Sequence, residues 1–259
     1  MISKFWNKKY IDHIQICILE NYGVKGRAGY FDSTGTVRDM IQNHILLIMS
    51  MIAAEPSSSS AEDTRKSRLS TLKDIKPLSN KDIVAAQYEG YTSDKGINPF
   101  SQTETFAAAK FEIKNSAWEG VPFYVKTGKS LAHTWTGILV KFKEKCDIDY
   151  VLVQMKPRES IQIEHTLARK KEILYDNASP TYGKQYELIL KNMFAGKKDT
   201  SLDVEEITQL WRIVDSLRLP IQNIPKYDAH SEGPIEAINF IRKDKRVWVD
   251  EEIFFTFIQ

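Results

Sequence analysis

Long hydrophobic runs and cysteine pairs are scarce in this 259-residue sequence, and each shortage excludes a class of protein. The longest apolar stretch, residues 45–54, falls short of the ~20 residues that a membrane-spanning helix needs. Residues 1–6 contain neither the apolar core of a signal peptide nor the composition of a transit peptide. Cys17 and Cys146 are too few for a disulfide framework, so we expect a protein of the reducing cytoplasm, without a membrane partner.

Basic and acidic side chains are nearly equal in number. The sequence has 36 Lys and Arg against 34 Asp and Glu, a formal net charge of +2. A dedicated nucleic-acid-binding protein carries a basic face, so we expect no nucleic-acid partner.

Glycine is sparse, and its spacing excludes two nucleotide-binding turns. No two of the 12 glycines are separated by a single residue, so the Gly-x-Gly-x-x-Gly turn that holds a dinucleotide cannot occur. Residues 127–130 look like the end of a P-loop, but Phe123 stands where that motif begins with glycine. The five histidines have no metal-ligand spacing, and we expect no metal.

The spacing of apolar residues predicts an α-helix over residues 36–54, after a turn at residues 32–36 whose side chains can cap it. The predicted buried stripe consists of Val37, Met40, Ile41, His44, Ile45, Ile48, Met51 and Ile52. Pro56 and four serines end the helix, and the polar composition predicts a mobile loop over residues 55–68. A short second helix is expected around Leu72, before Pro77.

Period-2 patterns beyond residue 100 predict strands over residues 105–113, 122–125, 138–142 and 150–155. Their short connections favour antiparallel pairing. Asp203 and Glu206 form a capping box that begins a helix reaching Leu217. Its predicted buried face consists of Ile207, Leu210, Trp211, Val214 and Leu217. We therefore predict one α+β domain over residues 1–259, with a large, mostly antiparallel sheet flanked by helices.

Three blocks of the sequence resemble the glucose-6-phosphate dehydrogenase family. The first is Lys-Gly-Arg-Ala-Gly-Tyr-Phe-Asp at 25–32, followed by Val-Arg-Asp-Met-Ile-Gln-Asn-His at 37–44. The second is Phe-Ala-Ala-Ala at 106–109, followed by Trp-Glu-Gly-Val-Pro-Phe-Tyr-Val-Lys-Thr-Gly-Lys at 118–129. The third is Gly233-Pro234 with Trp248. The blocks follow the family's order over essentially the whole chain and cover only its C-terminal part.

The resemblance implies an oxidoreductase of the pentose phosphate pathway that converts glucose 6-phosphate to 6-phosphogluconolactone with NADP. In the family a Rossmann domain precedes this region and binds most of the NADP, so Met1 is expected to begin in mid-protein. The family also implies a homodimer or tetramer formed through the sheet. The alternative is a catalytically silent chain that only binds sugar phosphate or assembles with full-length subunits. On either interpretation, this chain alone is expected to have no dehydrogenase turnover.

His44 matches the family's general base, which takes the proton of the C1 hydroxyl. Histidine suits this task because it accepts protons near neutral pH. The aspartate that orients this imidazole belongs to the preceding region of the family. Without the resemblance, its place on the apolar stripe favours a packed core histidine.

Glu20, Asp39 and Lys129 match positions that contact the substrate in the family. Carboxylates accept hydrogen bonds from sugar hydroxyls, and a lysine donates to hydroxyl or phosphate oxygens. The alternatives are a solvated strand-end acid for Glu20, a first-turn helix acid for Asp39 and a turn lysine for Lys129.

Other positions depart from the family. Thr134 replaces a second basic residue of the substrate site, and Lys156 replaces a glutamine. Some members bind a second, structural NADP on the sheet, and Lys126 is compatible with that site. Four residues there lack the usual aromatic or basic character: Gln154, Gln162, Glu164 and Glu232. The two acids would repel a phosphate-rich ligand, so we expect no structural NADP site.

Overall fold

The computed structural model describes residues 2–24, 26–54, 61–167, 170–177, 191, 194–195, 202–219 and 223–251. The strands are β1 (Ile11–Leu19), β2 (Ile83–Tyr88), β3 (Phe106–Phe111), β4 (Phe123–Gly128), β5 (Trp135–Phe142), β6 (Ile148–Lys156), β7 (Glu159–His165), β8 (Lys170–Asn177) and β9 (Lys226–Tyr227). The helices are α1 (Ala28–Thr36), a π-helical segment (Val37–Ile45), α2 (Leu46–Ala53), α3 (Ala61–Asp74), α4 (Val204–Val214) and α5 (Ile235–Arg242).

The described strands form one sheet in the order β8-β7-β6-β5-β1-β4-β3-β2-β9. The β1–β4 and β2–β9 pairs are parallel, and the other neighbours are antiparallel. The predicted α+β class with a large, mostly antiparallel sheet is therefore confirmed. The four predicted strands correspond to β3, β4, β5 and β6. The expected antiparallel pairing holds for β3 with β4 and for β5 with β6, whereas β1 lies between β4 and β5.

The sheet has an apolar layer on each face because successive strand side chains point to opposite faces. Along β1, Ile14 and Ile16 pack with the π-helical segment, α2, α3 and α4. Cys17 and Leu19 belong to the opposite cluster, which includes residues of α5 and the buried Trp248. The central strands are therefore covered on both sides.

Helical structure begins earlier than predicted and is not a regular α-helix. Gly35 has a φ of +72°, which separates α1 from the π-helical segment. The buried apolar residues differ from the predicted stripe and are Val37, Ile41, Ile45, Leu46, Met49 and Ala53. His44 and Met51 are exposed, so their assignment to the buried stripe is wrong. Because i→i+5 bonds widen the turn, a regular 3.6-residue period does not describe this segment.

Residues 61–68 form the first half of α3, so this part of the loop prediction for residues 55–68 is wrong. The Arg68 guanidinium donates to the Glu206 carboxylate at 2.5 Å, and both side chains are buried. Arg212 donates to the carbonyls of Leu72 and Ile75 at the end of α3. Partners on α4 therefore hold a helix whose own sequence is polar. Residues 55–60 lie outside the described residues.

The capping box of α4 is confirmed: the Glu206 amide donates to Asp203 and the Asp203 amide donates to Glu206. The helix ends at Val214, three residues before the predicted end. Ile213 is buried, whereas Trp211 is 38% exposed, so the predicted apolar face is displaced.

Candidate functional site

Glu20 and Lys129 meet at the carboxyl ends of two neighbouring parallel strands. Leu19 of β1 is in register with Gly128 of β4, and the two candidate residues follow directly. The Lys129 Nζ lies 2.5 Å from the Glu20 Oε2. Ligands bind at this end of parallel strands in many α/β proteins.

Gly128 allows this close arrangement. A Cβ at residue 128 would lie 2.7 Å from Cδ2 of the buried Phe106. The lack of a side chain at residue 128 therefore lets the end of β4 approach Phe106 closely.

A hollow of about 260 Å³ surrounds the Glu20–Lys129 pair. The Lys129 ammonium lies 5.1 Å from the Phe31 ring centroid and 6.0 Å from that of Tyr22. The Tyr22 hydroxyl donates to the Glu20 Oε1 at 2.8 Å. Burial, followed by this contact with Glu20, raises the pKa of Tyr22 to about 12, so the phenol stays protonated. The two residues thus form a paired, partly buried site and are not the solvated acid and turn lysine of the alternative interpretation.

Asp39 reaches the same hollow through Arg27, which also lines it. The Arg27 Nη2 and the Tyr30 hydroxyl each lie 3.4 Å from the Asp39 Oδ1. Asp39 is 8% exposed although it belongs to the first turn of the π-helical segment. Its partners are side chains, which differs from the plain first-turn acid of the alternative interpretation.

His44 belongs to the same π-helical segment as Asp39. The Leu46 amide donates to the carbonyl of Ile41, five residues earlier, as in a π-helix. In such a helix residues five apart lie about one turn apart. His44 does not line the hollow. His44 is exposed, and its imidazole has no hydrogen bond or ion pair with the described residues. The core-histidine interpretation is therefore wrong.

Glu104 holds the start of the π-helical segment. Its Oε1 accepts from the Val37 amide at 3.0 Å, and its carbonyl accepts from the Thr36 amide at 3.0 Å. A Cβ at Gly35 would collide with the Glu104 carboxylate. Burial raises the pKa of Glu104. The predicted cap from the turn at residues 32–36 is wrong, because Glu104 supplies it from a distant loop.

Sequence reasoning missed four side chains that shape this site: Tyr22, Arg27, Tyr30 and Glu104. Arg27 and Tyr30 lie inside the first block of family resemblance, which was the available signal. Tyr22 and Glu104 stand near such blocks, but no spacing rule connects them to Glu20 or to residue 37.

None of the positions that depart from the family lines this hollow. Thr134 bonds to the Asn21 side chain at 2.8 Å, and Lys156 is exposed at the end of β6. The Lys126 ammonium is buried 2.7 Å from the Asp250 Oδ2, so a protein carboxylate already neutralises it. This pairing agrees with the expected lack of a structural NADP site, which stays a prediction.

The described residues contain neither a membrane-spanning helix nor a cluster of metal-ligating side chains. None of their helices is long and apolar enough to cross a membrane. Among the same residues, no cluster of three His, Cys, Asp or Glu side chains could hold a metal ion.

Comparison with known proteins agrees with the sequence blocks. The model of the family "Glucose-6-phosphate dehydrogenase, C-terminal domain" matches residues 1–249. Glucose-6-phosphate 1-dehydrogenase of Aggregatibacter actinomycetemcomitans is 32% identical over 284 residues, which are 94% of this chain and 57% of that protein. The Chlamydia muridarum enzyme is 30% identical, over 96% of this chain and 57% of that protein.

Solved structures share the fold. The Mycobacterium avium glucose-6-phosphate 1-dehydrogenase superposes with a TM-score of 0.81 at 24% identity, covering 95% of this chain and 57% of that chain. A glucose-6-phosphate dehydrogenase in complex with its substrate glucose-6-phosphate gives 0.78 at 26% identity, covering 95% and 58%. This chain thus spans somewhat more than half the length of these relatives. It belongs to the glucose-6-phosphate dehydrogenase C-terminal domain family.

Proposed function

We propose that this chain is the sugar-binding and base-bearing part of an enzyme that oxidises glucose 6-phosphate to 6-phosphogluconolactone. The observation that carries the proposal is the hollow in which Glu20 and Lys129 meet at the strand ends, with Asp39 joined to it through Arg27. The related structure solved with glucose 6-phosphate supports the choice of substrate.

Each side chain has a distinct task in this proposal. Glu20 and Asp39 accept hydrogen bonds from sugar hydroxyls, and Lys129 donates to substrate oxygens. Substrate must compete with the Lys129–Glu20 pair, since the two groups contact each other at 2.5 Å. His44 takes the proton of the C1 hydroxyl while the hydride leaves the same carbon, and the C1–O bond becomes the lactone carbonyl.

NADP supplies the hydride acceptor when bound. The chain cannot form a Gly-x-Gly-x-x-Gly turn, so we assign none of its residues to the dinucleotide. His44 is exposed and has no partner among the described residues. These observations fit a base that is oriented by a group outside the described residues.

Binding of glucose 6-phosphate to the 259-residue protein tests the sugar site. Calorimetric titration should show binding that Asp39→Asn and Lys129→Gln each weaken about tenfold, the usual worth of one charge-assisted hydrogen bond. Lys114→Gln is the matched control, because it removes an exposed lysine elsewhere. Binding that all three variants leave unchanged would place the sugar phosphate at a different site.

We also propose that the protein is cytoplasmic and associates through its sheet. The cytoplasmic glucose-6-phosphate 1-dehydrogenase isoform of Solanum tuberosum is 32% identical, covering 90% of this chain and 50% of that protein, which supports the location. Strand β8 lies at one end of the described sheet and exposes Ile173, Leu174 and Tyr175 by 46–58%. Exposed apolar surface of this kind promotes association. Sedimentation should show a dimer or tetramer at micromolar concentration, and a monomer alone would contradict the proposal.

A further inference from the structure

A second concavity lies near the start of β1, at the opposite end of that strand from Glu20. Its walls come from β1, the end of β5, the β5–β6 turn and the segment after α5, and they enclose about 660 Å³. Residues 13 and 20 are separated by roughly 23 Å along an extended strand. We call this concavity the basic hollow, after five of its lining residues: Lys141, Lys143, Lys145, Lys245 and Arg246.

Positive side chains predominate in the basic hollow. Its five cationic side chains face two lining carboxylates, Asp12 and Glu144, and Asp149 pairs with Lys141, which leaves a local net charge of +2. The entire sequence carries a formal charge of +2 as well. Positive charge is therefore concentrated here, where it attracts anions.

Two of the lysines are available to a ligand. Lys141 pairs with Asp149 at 2.9 Å, and the Lys143 ammonium donates to a backbone carbonyl at 2.6 Å. Lys145 and Lys245, in contrast, have no ion pair or side-chain hydrogen bond with any described residue. One stands on the β5–β6 turn and the other follows α5, so uncommitted cations occur on two separate walls.

Lys245 has a backbone conformation that is unfavourable for a residue with a side chain. Its φ is +58°, a left-handed conformation that glycine adopts most easily at the end of a helix. Its amide donates to the carbonyl of Arg242 at 2.9 Å, closing the end of α5. A glycine would satisfy this turn with less strain, but it would remove a cation from the basic hollow.

Hydrogen bonds hold the residues at the base of the basic hollow in place. Asp12 accepts from the Arg246 Nε at 3.0 Å and from its Nη2 at 3.1 Å, which fixes the guanidinium plane. The His13 Nδ1 lies 2.7 Å from Asp12, and its Nε2 lies 3.0 Å from the Gln15 amide nitrogen. The Gln15 oxygen accepts from the Val249 amide, so the amide nitrogen is the donor to His13.

We propose that the basic hollow binds a small organic molecule carrying at least two phosphoryl groups. Two walls with uncommitted lysines suit two separated phosphates, and Leu139 and Val247 offer apolar surface to an organic part. The volume falls within the range of small-molecule sites. None of the residues matched to the family's second NADP site, such as Gln154 or Glu232, lines this concavity.

Calorimetric titration of the 259-residue protein with ADP tests the proposal. ADP should bind, and Lys145→Met and Lys245→Met should each weaken binding about tenfold, with further weakening at higher salt. Lys245→Gly should lose the same affinity while raising the melting temperature, because it relieves the left-handed backbone. Lys114→Met, an exposed lysine outside the basic hollow, should leave ADP affinity within about twofold.

Three further probes separate the alternatives. Adenosine without phosphate should not bind, and inorganic pyrophosphate should bind more weakly than ADP. Pyrophosphate as tight as ADP, or a single-stranded oligonucleotide tighter than both, would overturn the proposal of a small organic ligand. The absence of ADP binding at millimolar concentration would also overturn it. Whatever the result with ADP, the proposed function stands if glucose 6-phosphate binding depends on Asp39 and not on Lys145.

Discussion

The buried Arg68–Glu206 pair, which joins α3 to α4, makes the clearest stability prediction. The side chains are 9% and 0% exposed, and the shortest contact is 2.5 Å. Arg68→Ala leaves the Glu206 carboxylate buried without its counter-charge, a change that costs about 3–5 kcal/mol. In a domain of this size each kcal/mol lowers the melting temperature by about 2–4 °C, so we expect a fall of roughly 6–20 °C.

Calorimetric melting of matched variants separates the charge effect from loss of packing. Arg68→Met combined with Glu206→Gln should recover most of the loss, because Gln still accepts the Asp203 amide of the capping box. Lys66→Ala breaks an exposed pair with Glu62 on the same helix and should leave melting unchanged. An Arg68→Ala protein that melts within 2 °C of the parent, or a double variant no better than the single one, would refute the reasoning.

Three further predictions concern buried polar groups and a close contact. Glu104→Gln keeps an acceptor for the π-helical N terminus and removes a carboxylate whose pKa is raised by burial. As the pH rises above ~4.5, the free energy of unfolding of the wild type in urea should fall relative to that of Glu104→Gln. Glu104→Ala should lower the free energy of unfolding by about 1–3 kcal/mol. Burial lowers the pKa of His13, so the unfolded chain gains a proton first as the pH falls below ~6.5. The free energy of unfolding in urea should therefore decrease from pH 7 to pH 5, and the decrease should be smaller in His13→Gln. Gly128→Ala should cost about 1–3 kcal/mol against Phe106, whereas Gly29→Ala, with no atom within 4 Å, should be neutral or stabilising in thermal melts.

The sequence predicted correctly those elements that depend on residues close together in the chain. The capping box of α4 involves residues three apart, and strands β3 to β6 follow from alternation and short turns. The family resemblance assigned Glu20 and Lys129 to one site, although they are 109 residues apart and the parallel β1–β4 register brings them together.

The errors arose where a distant partner determines local structure. Residues 61–68 have a polar sequence, and their helix depends on Glu206, which lies 138 residues from Arg68. The start of the π-helical segment depends on Glu104, 67 residues after Val37. A regular 3.6-residue period assigned His44 to the core, but the i→i+5 bonds turn it outward. A single sequence contains no local signal for these effects.

The most direct test of the central claim is the paired measurement of turnover and melting temperature for His44→Asn. The chain is joined to the N-terminal region of a related glucose-6-phosphate dehydrogenase, and NADPH formation from glucose 6-phosphate is followed. Because His44 is exposed and its imidazole has no partner among the described residues, melting should not change. Loss of a general base should lower kcat about 10²–10⁴-fold. Turnover within a few-fold of the parent, or loss that accompanies unfolding, would contradict the assignment of His44 as the base.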